Sequence, residues 1–415
     1  MKIVYPICCG MDIHKRIIVA TIAATSPEGV TSYEQRTFST FNSDLAKLRE
    51  WLVGRNCRDA CMESTGKYWI PIWNALESEI RLTLAHPKYT KAIKGKKTDK
   101  KDSKWIADLF KHDLINGSFM PPRDVREMRD LSRYRYKLTF AKVSEKNRIQ
   151  NCMTASNIRI DSVVSDPFGK SATLIMKEVL SNPGFRPEDA VKHLKRGLRA
   201  KADEVVSSLE GLSVPDDQRV KMEEAYAHIA EIDAHISRIE GALEERAAKY
   251  EAEIALLSTI PGLQRRSIIA VISETGVDMS QFEDEKHFSS WAGLAPTNNE
   301  SAHKKKSVRI SHAGTYLKPL LVQVALNSIR DRSDNYFSTK YAILKKRRGH
   351  KRAIIAIARM ILVCVYHMLS TGEAFHPRDL DKLSNPAVKE RSSTAPMAES
   401  EALELLRSLG YTVTR

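Results

Sequence analysis

Two carboxylates stand where an apolar strand would not ordinarily carry a charge. Asp12 closes the run "ICCGMD" and Glu63 closes "DACME", and burial of a charge is tolerated only where something positive meets it. Two further acids, Asp99 and Asp102 of "KTDKKDSKWIADL", lie three apart at the start of a helical pattern, so they share a helix face. Taken alone, that pair reads equally well as a cap and a favourable contact with the helix dipole. If the strands of Asp12 and Glu63 are neighbours, both acids project at one sheet edge, and the helix adds the other two. Four oxygen donors in a chain of net charge +15 suit Mg2+, which takes a few carboxylates together with phosphate oxygens. That is the donor set of a two-metal phosphoryl-transfer site. Lys94, Lys96, Lys97, Lys100, Lys101 and Lys104 flank these acids and would draw a polyanion toward them.

A second group of residues suggests a nucleophile. In "NNESAHKKKSVRISHAGTY", Ser301 precedes His303, Lys304, Lys305 and Lys306, with Arg309 close behind. A serine hydroxyl attacks phosphorus usefully only where a base, a metal or a dense positive field stabilises the developing charge. The lysines and Arg309 supply the field; the ordinary alternative is a turn-forming loop serine. The four acids lie far upstream, so a composite site requires two domains to meet, within one chain or between subunits.

The elements that must position these groups follow from the pattern. Apolar, β-rich runs at Ile7–Ile13, Ile17–Ala24 and Val30–Phe38 predict three consecutive antiparallel strands. A helix over Ser43–Leu52, a strand Asp59–Glu63, a helix Tyr68–Glu79 and a strand Arg81–Ala85 follow, which together predict a mixed sheet flanked by helices. From Lys100 to Ile160 the pattern is helical and reads as an arm rather than a core layer. Within it, "LSRYRYKLTFAKVSEKNRIQN" mixes Arg133, Arg135, Lys137, Lys142, Lys146 and Arg148 with Tyr134, Tyr136 and Phe140, a composition suited to structured RNA or DNA. Tyr136 and Phe140, four apart, are expected to face the core, leaving the cations for nucleic acid.

Met222, Ala225, Ile229, Ile232, Ile236, Ile239 and Leu243 repeat at 3-4 spacing, the seam of a coiled coil and a candidate self-association surface. "KKRRGHKR" adds Lys345, Lys346, Arg347 and Arg348 as a patch that tracks a phosphate backbone without reading sequence. The apolar run Ala353–Leu369 carries Arg359 and His367 and reads as a buried helix, not a membrane span. The expected organisation is a carboxylate sheet domain at 1–115, a basic helical arm and coiled-coil linker at 116–254, a mainly helical domain with Ser301 at 255–375, and a polar tail at 376–415 with a short helix Ser400–Leu409.

Lys plus Arg number 66 against 51 Asp plus Glu, which points to nucleic acid or an anionic surface as partner. The six cysteines form no C-x-x-C pair and read as reduced, buried thiols. No secretory h-region follows Lys2, so a cytoplasmic location is expected. No phosphate loop of the G-x-x-x-x-G-K-[ST] type is present, and no nucleotide cofactor is expected.

In order and spacing, "GMDIHK", "MESTGKYW", "KTDKKDSKWIADL", the basic helix, "STIPGL" and "WAGLAPTNNESAHKKKSVRISHAGTYLK" resemble the DEDD transposases of insertion sequences guided by a bridge RNA. The likeness covers most of Ile7 to Leu369. It implies an N-terminal RuvC-like, RNase H-type domain whose acids, here Asp12, Glu63, Asp99 and Asp102, bind Mg2+, a coiled-coil linker, and a C-terminal domain whose essential serine is Ser301. It also implies a noncoding bridge RNA that pairs with target and donor DNA, and a homo-oligomer, a dimer through the coiled coil and a tetramer in the synaptic complex. Ala302 follows the serine where the family often has glycine, and Gln264 in "IPGLQRR" stands where a second glycine is usual. The competing readings are a RuvC-like endonuclease using metal-activated water, and a nucleic-acid-binding scaffold with inert acids.

Overall fold

The computed structural model describes residues 2–63, 66–86, 99–296, 299–301, 304–307, 309–330, 335–377 and 379, with only the backbone at 99, 100, 196, 299–301 and 304–307. The chain forms two compact units, residues 1–123 and 124–415.

In the first unit, β1 (Ile7–Ile13), β2 (Ile17–Thr25) and β3 (Thr31–Ser39) are joined by tight turns and pair antiparallel. After α1 (Asn42–Gly54), β4 (Asp59–Glu63) returns parallel to β1. After α2 (Trp69–Leu76), β5 (Arg81–Ala85) lies parallel to β4. The sheet order is β3-β2-β1-β4-β5, the mixed sheet flanked by helices expected for a RuvC-like domain. Side chains alternate across a strand, and the two faces have separate cores. Cys9, Met11, Ile13, Ala60 and Met62 pack with Leu48, Leu52, Ile72 and Leu76 of α1 and α2. Cys8, Ala23 and Cys61 pack on the other face with Ile106, Ala107 and Phe110 of α3 (Asp99–Lys111). The reading of everything from Lys100 onward as an arm is therefore corrected: α3 is a layer of the sheet's core.

In the second unit, α4 (Arg123–Ala155) and α7 (Asp216–Ala247) are the two long helices. Their ion pairs step outward along one helix as they step inward along the other: Asp124 with Lys249, Arg135 with Glu240 at 2.7 Å, Lys142 with Asp233 at 2.6 Å, and Glu145 with His228 at 2.9 Å. The two helices are an antiparallel pair. Between them in sequence, α5 (Lys170–Ser181), α6 (Ala202–Ser207) and short 3-10 turns build a core of their own around Ile160, Ile175, Met176 and Val205, a compact body that the sequence reading passed over. Met222 and Ala225 of the expected seam belong to that core. Ile232 and Leu243 are also buried in the chain, and Ile229, Ile236 and Ile239 are half-buried. The seam read as a self-association surface is thus engaged within one chain over much of its length.

The remaining helices are α8 (Glu251–Leu257), α9 (Arg265–Thr275), α10 (Glu285–Trp291), α11 (Leu317–Arg330), α12 (Tyr336–Arg348) and α13 (His350–Thr371). By length and composition α13 could cross a membrane, yet Ala353, Ile354, Ile357, Ile361 and Val365 are buried against protein, as expected for a core helix. The tail beyond residue 379, with its expected helix, lies outside the described residues. Asp379 itself accepts a hydrogen bond from Tyr336 at 2.9 Å and pairs with Lys340 of α12.

Candidate functional site

The sheet register brings Asp12 and Glu63 together. Met11 pairs with Met62 across the parallel β1–β4 ladder, so Asp12 and Glu63 are the next positions on strands that lie about 4.8 Å apart. Both fall on the face that α3 covers, two residues beyond Gly10 and Cys61 respectively. Asp12 is only 8% exposed, and His14 Nε2 stands 3.3 Å from its Oδ2.

The direction of α3 follows from its contacts. The Lys111 carbonyl accepts hydrogen bonds from Val4 and Tyr5 at the start of β1, Tyr5 stacks on Phe110 with centroids 4.5 Å apart, and the Cys8 thiol donates to the Ala107 carbonyl. Ser103 hydrogen-bonds Thr21, which sits opposite Gly10, at 2.8 Å, and Gln35 Nε2 donates to both hydroxyls. The helix therefore runs antiparallel to β1, and its first turn, with Asp99 and half-buried Asp102, lies toward the strand ends that carry Asp12 and Glu63. A Cβ at Gly10 would collide with the Ser103 carbonyl and the Ala107 backbone, so this glycine is what allows α3 to lie on the sheet.

The donors are all hard carboxylate oxygens, the kind that a divalent cation of the Mg2+ class accepts. Among the described residues no three His, Cys, Asp or Glu side chains stand close enough to hold an ion; the Asp99 side chain lies outside them. The buried thiols of this sheet are not alternative nucleophiles, since burial pushes Cys8 and Cys57 up to about 12 and keeps them protonated. Lys101 and Lys104 are exposed on α3, with the Lys104 ammonium 3.9 Å from the Tyr33 ring centroid. Lys96 and Lys97 lie outside the described residues.

In the second unit, Ser301 ends β6 (Asn299–Ser301), which pairs antiparallel with β7 (Lys304–Ser307). Ser301 is opposite Lys304 and Glu300 opposite Lys305, with a bulge between Asn299 and Glu300. An isolated bridge between Pro296 and Ile310 continues the ladder toward its root. The serine thus stands on a β-hairpin rather than in an irregular loop. The side chains of Ser301, Lys304, Lys305 and Lys306 lie outside the described residues; Arg309 is exposed.

The root of the hairpin is a crossing of two backbones. Gly293, with φ +70°, would place a Cβ into the Ala313 carbonyl, and Gly314, with φ +69°, would place one into the Ala292 carbonyl. Only glycine fits both the conformation and the space. Lys318 closes the turn by donating from Nζ to the Ser311 carbonyl at 2.6 Å, and burial holds its ammonium below the usual lysine range. Nothing in the local sequence pattern marks Gly293 or Gly314 as such crossings. A glycine inside the apolar strand run "CCGMD" is a signal of close backbone approach.

The arm cations have partners inside the chain. Arg133 makes two 2.7 Å hydrogen bonds to Glu274, Arg135 reaches Glu240 and Lys142 reaches Asp233. Arg148 pairs with Glu145, and Lys146 stands 4.9 Å from the Phe168 ring centroid. Of the six, Lys137 is the exposed one without such a contact among the described residues. Tyr136 is half-buried, whereas Phe140 is 55% exposed, so the expectation that both face a core fails for Phe140. At "IPGLQRR", Gly262 (φ +81°) lies against the backbone of Ser328 on α11, and the Ser328 hydroxyl donates to the Pro261 carbonyl at 2.7 Å. Arg265 is bound to Glu244 and Glu251, and Arg266 to Glu240. The turn at "IPGLQRR" serves helix packing. By contrast, residues 345–352, including Lys345, Lys346, Arg347 and Arg348, are all exposed around Gly349, which alone joins α12 to α13.

Paired carboxylates at the edge of a mixed sheet, beside a helix bearing further acids, define a RuvC-like domain of DEDD type, here followed by a largely helical unit. Residues 9–158 match the DEDD transposase model of IS110 type, and residues 254–342 match the model described as transposase of the IS116/IS110/IS902 family. The chain belongs to this transposase family. A pilin gene-inverting protein of Moraxella bovis is 29% identical over 127 residues, 30% of this chain and 39% of that protein. The pilin gene-inverting protein of Moraxella lacunata matches with the same identity and shares. A transposase for insertion sequence element IS1111A of Coxiella burnetii is 26% identical over 132 residues, 31% of this chain and 36% of that protein. The chain thus spans 36–39% of the length of these curated relatives.

Proposed function

We propose that this chain is a DNA transposase or recombinase that cuts, exchanges and rejoins strands through a covalent phosphoserine at Ser301. The observation that carries the reading is the placement of Asp12 and Glu63 as adjacent register positions on the face beneath the first turn of α3, which fits a family defined by four acids. The relatives named for gene inversion and for transposition share rearrangement of DNA as their theme.

In this reading the Ser301 hydroxyl attacks a DNA phosphodiester. A bond forms from Oγ to phosphorus, the bond to one sugar oxygen breaks, and the serine proton leaves to solvent or a nearby base while the sugar leaves as a hydroxyl. A sugar hydroxyl from the exchanged strand then attacks the phosphoserine and regenerates the serine. Lys304, Lys305, Lys306 and Arg309 hold the phosphate and offset its charge. Asp12, Glu63, Asp99 and Asp102 are the residues that would hold Mg2+, which when bound stabilises charge on the entering or leaving oxygen. The exposed residues Lys345 to Arg348 hold backbone phosphates. A bridge RNA pairing with target and donor DNA supplies sequence choice, which suits a chain whose net charge of +15 favours polyanions broadly. The working form is a homo-oligomer, up to a tetramer when two duplexes are held.

A denaturing gel tests the chemistry. Incubation with Mg2+, co-purified RNA and plasmid DNA carrying the flanks of this gene should give a protein–DNA adduct that Ser301→Ala abolishes. Cleavage undiminished in Ser301→Ala would instead establish a metal-dependent endonuclease using water. Exchange and cleavage untouched by Asp12→Ala and Glu63→Ala would leave only a binding scaffold. Sequencing RNA that co-purifies with the chain tests guidance; recovery of no discrete RNA species counts against it.

A further inference from the structure

One aromatic residue beyond the Ser301 hairpin packs on the arm. Tyr316 lies two positions beyond Gly314, between the hairpin root and α11. Its ring takes the Arg133 guanidinium at 4.6 Å from the centroid and meets Tyr136 edge-on at 5.3 Å. Tyr136 in turn packs on Phe140 at 4.7 Å. Arg133 is itself fixed: both its Nε and Nη2 donate to Glu274, whose side chain is 7% exposed at the end of α9. One turn earlier, Arg129 donates to the Ser273 and Glu274 carbonyls at 3.2 and 2.6 Å. These are carbonyls of the last turn of α9, which lack partners within the helix. The arm helix thus grips α9 with two arginines and, through the outer one, presents a flat cation to Tyr316.

We propose that Tyr316, held by Arg133 and Tyr136, is a positioning residue that sets the Ser301 hairpin against α4. Arg133 then serves the serine through this ring rather than by binding a phosphate. The geometry favours this role because a guanidinium in a two-point contact with a buried carboxylate, with its carbon 4.6 Å from a ring centroid, has little left to offer a nucleic acid. The crossing of Gly293 and Gly314 fixes the hairpin to the start of α11 but not to the arm; the Tyr316 contacts supply that second point. Two points define a direction, and displacement of a nucleophile by about 1 Å is enough to lower a rate a hundredfold. The inference rests on Ser301 acting as the nucleophile.

The test compares Tyr316→Ala, Tyr316→Phe and Arg133→Lys in the full chain, with co-purified RNA and plasmid DNA carrying the flanks of this gene. Tyr316→Ala should slow adduct formation by roughly tenfold to a hundredfold, while DNA affinity and its salt dependence stay at the parent values. Tyr316→Phe keeps the ring and should restore the rate. Arg133→Lys keeps the charge but loses the planar fork, so it should behave like Tyr316→Ala in rate and like the parent in salt slope. A weakened, flatter salt response in Arg133→Lys would return Arg133 to phosphate binding and overturn the proposal. So would a parental adduct rate in Tyr316→Ala. Amide exchange separates failure of this inference from failure of the serine chemistry. Faster exchange in β6 and β7 with Tyr316→Ala but not with Tyr316→Phe supports anchoring even if no adduct forms. Unchanged exchange in both variants refutes it even if Ser301 is the nucleophile.

Discussion

The two candidate chemical groups are held by different kinds of structure. Asp12 and Glu63 are placed by a ladder: hydrogen-bonded register and strand alternation fix their spacing and face, and Gly10, Ser103 and Thr21 seat α3 over them. Ser301 is placed by a short two-stranded hairpin whose root is a pair of crossing backbones, followed by a tyrosine whose ring meets the Arg133 guanidinium. The first arrangement is stiff because many elements share it. The second depends on a few contacts, each of which a single substitution can remove. A ladder fixes a mutual distance between two groups; a narrow stem holds its strands through a few backbone contacts at one end.

Substitutions should separate these two modes of support. The largest effect is expected at the groups themselves. Ser301→Ala and Glu63→Gln should each lower strand exchange by at least about a thousandfold, as loss of a nucleophile or principal catalytic group does, measured by gel with Mg2+ present; activity of either within tenfold of the parent removes that residue from the chemistry. Next comes the hairpin root. Gly293→Ala puts a Cβ into the Ala313 carbonyl at positive φ and should reduce stability by about 2–3 kcal/mol, seen as an earlier urea midpoint with faster exchange in β6 and β7. A smaller loss, about 1–3 kcal/mol, is expected for Gly10→Ala, with the change in exchange confined to α3 and β1. If that change appears in β6 and β7 instead, the separation of the two supports is wrong. At the exposed tip, replacing Arg347 and Arg348 by Gln should weaken DNA binding uniformly across sequences and reduce the log–log salt slope by about 2. The smallest effect is expected at the arm: Lys142→Gln removes a surface ion pair with Asp233 and should change stability by less than about 1 kcal/mol, with the salt slope unaltered.

The same contrast explains what the sequence could reveal. The strands Ile7–Ile13, Asp59–Glu63 and Arg81–Ala85 were legible because short apolar runs bounded by charged and turn residues report buried strands. The neighbouring positions of Asp12 and Glu63 followed once those strands were in place. The role of α3 was not legible. Its apolar face, with Ile106 and Phe110, is plain in the pattern, but the surface that face covers is set by a close approach of Ser103 and Ala107 to Gly10 across the sheet, a contact that only tertiary packing makes. The hairpin at Ser301 was hidden for another reason: its strands are three and four residues long and polar or cationic, so no apolar period marks them. The intrachain partners of the arm cations were not legible, because a cation's partner on a distant helix cannot be inferred from its own neighbours. Arg133 and Glu274 stand 141 positions apart, and only tertiary packing joins them. The compact body around Ile175 was not legible as a unit because its one long helix, α5, is joined to the rest by short 3-10 turns that carry little periodicity of their own.

The out-and-back course of α4 and α7 has a consequence for how such a chain can vary. Everything between Ala155 and Asp216 hangs from the far end of the arm, where both chain crossings lie close together and line a common groove of about 920 Å³ with Cys152, Gln218 and Ala225. A module attached in this way is modular cargo: it can be lengthened, exchanged or reduced to a turn while the ion pairs from Asp124 to Lys142 and from Asp233 to Lys249 keep their partners. Length differences among members of this family are therefore most easily accommodated at this outer end, far along the arm from the helices that support the serine.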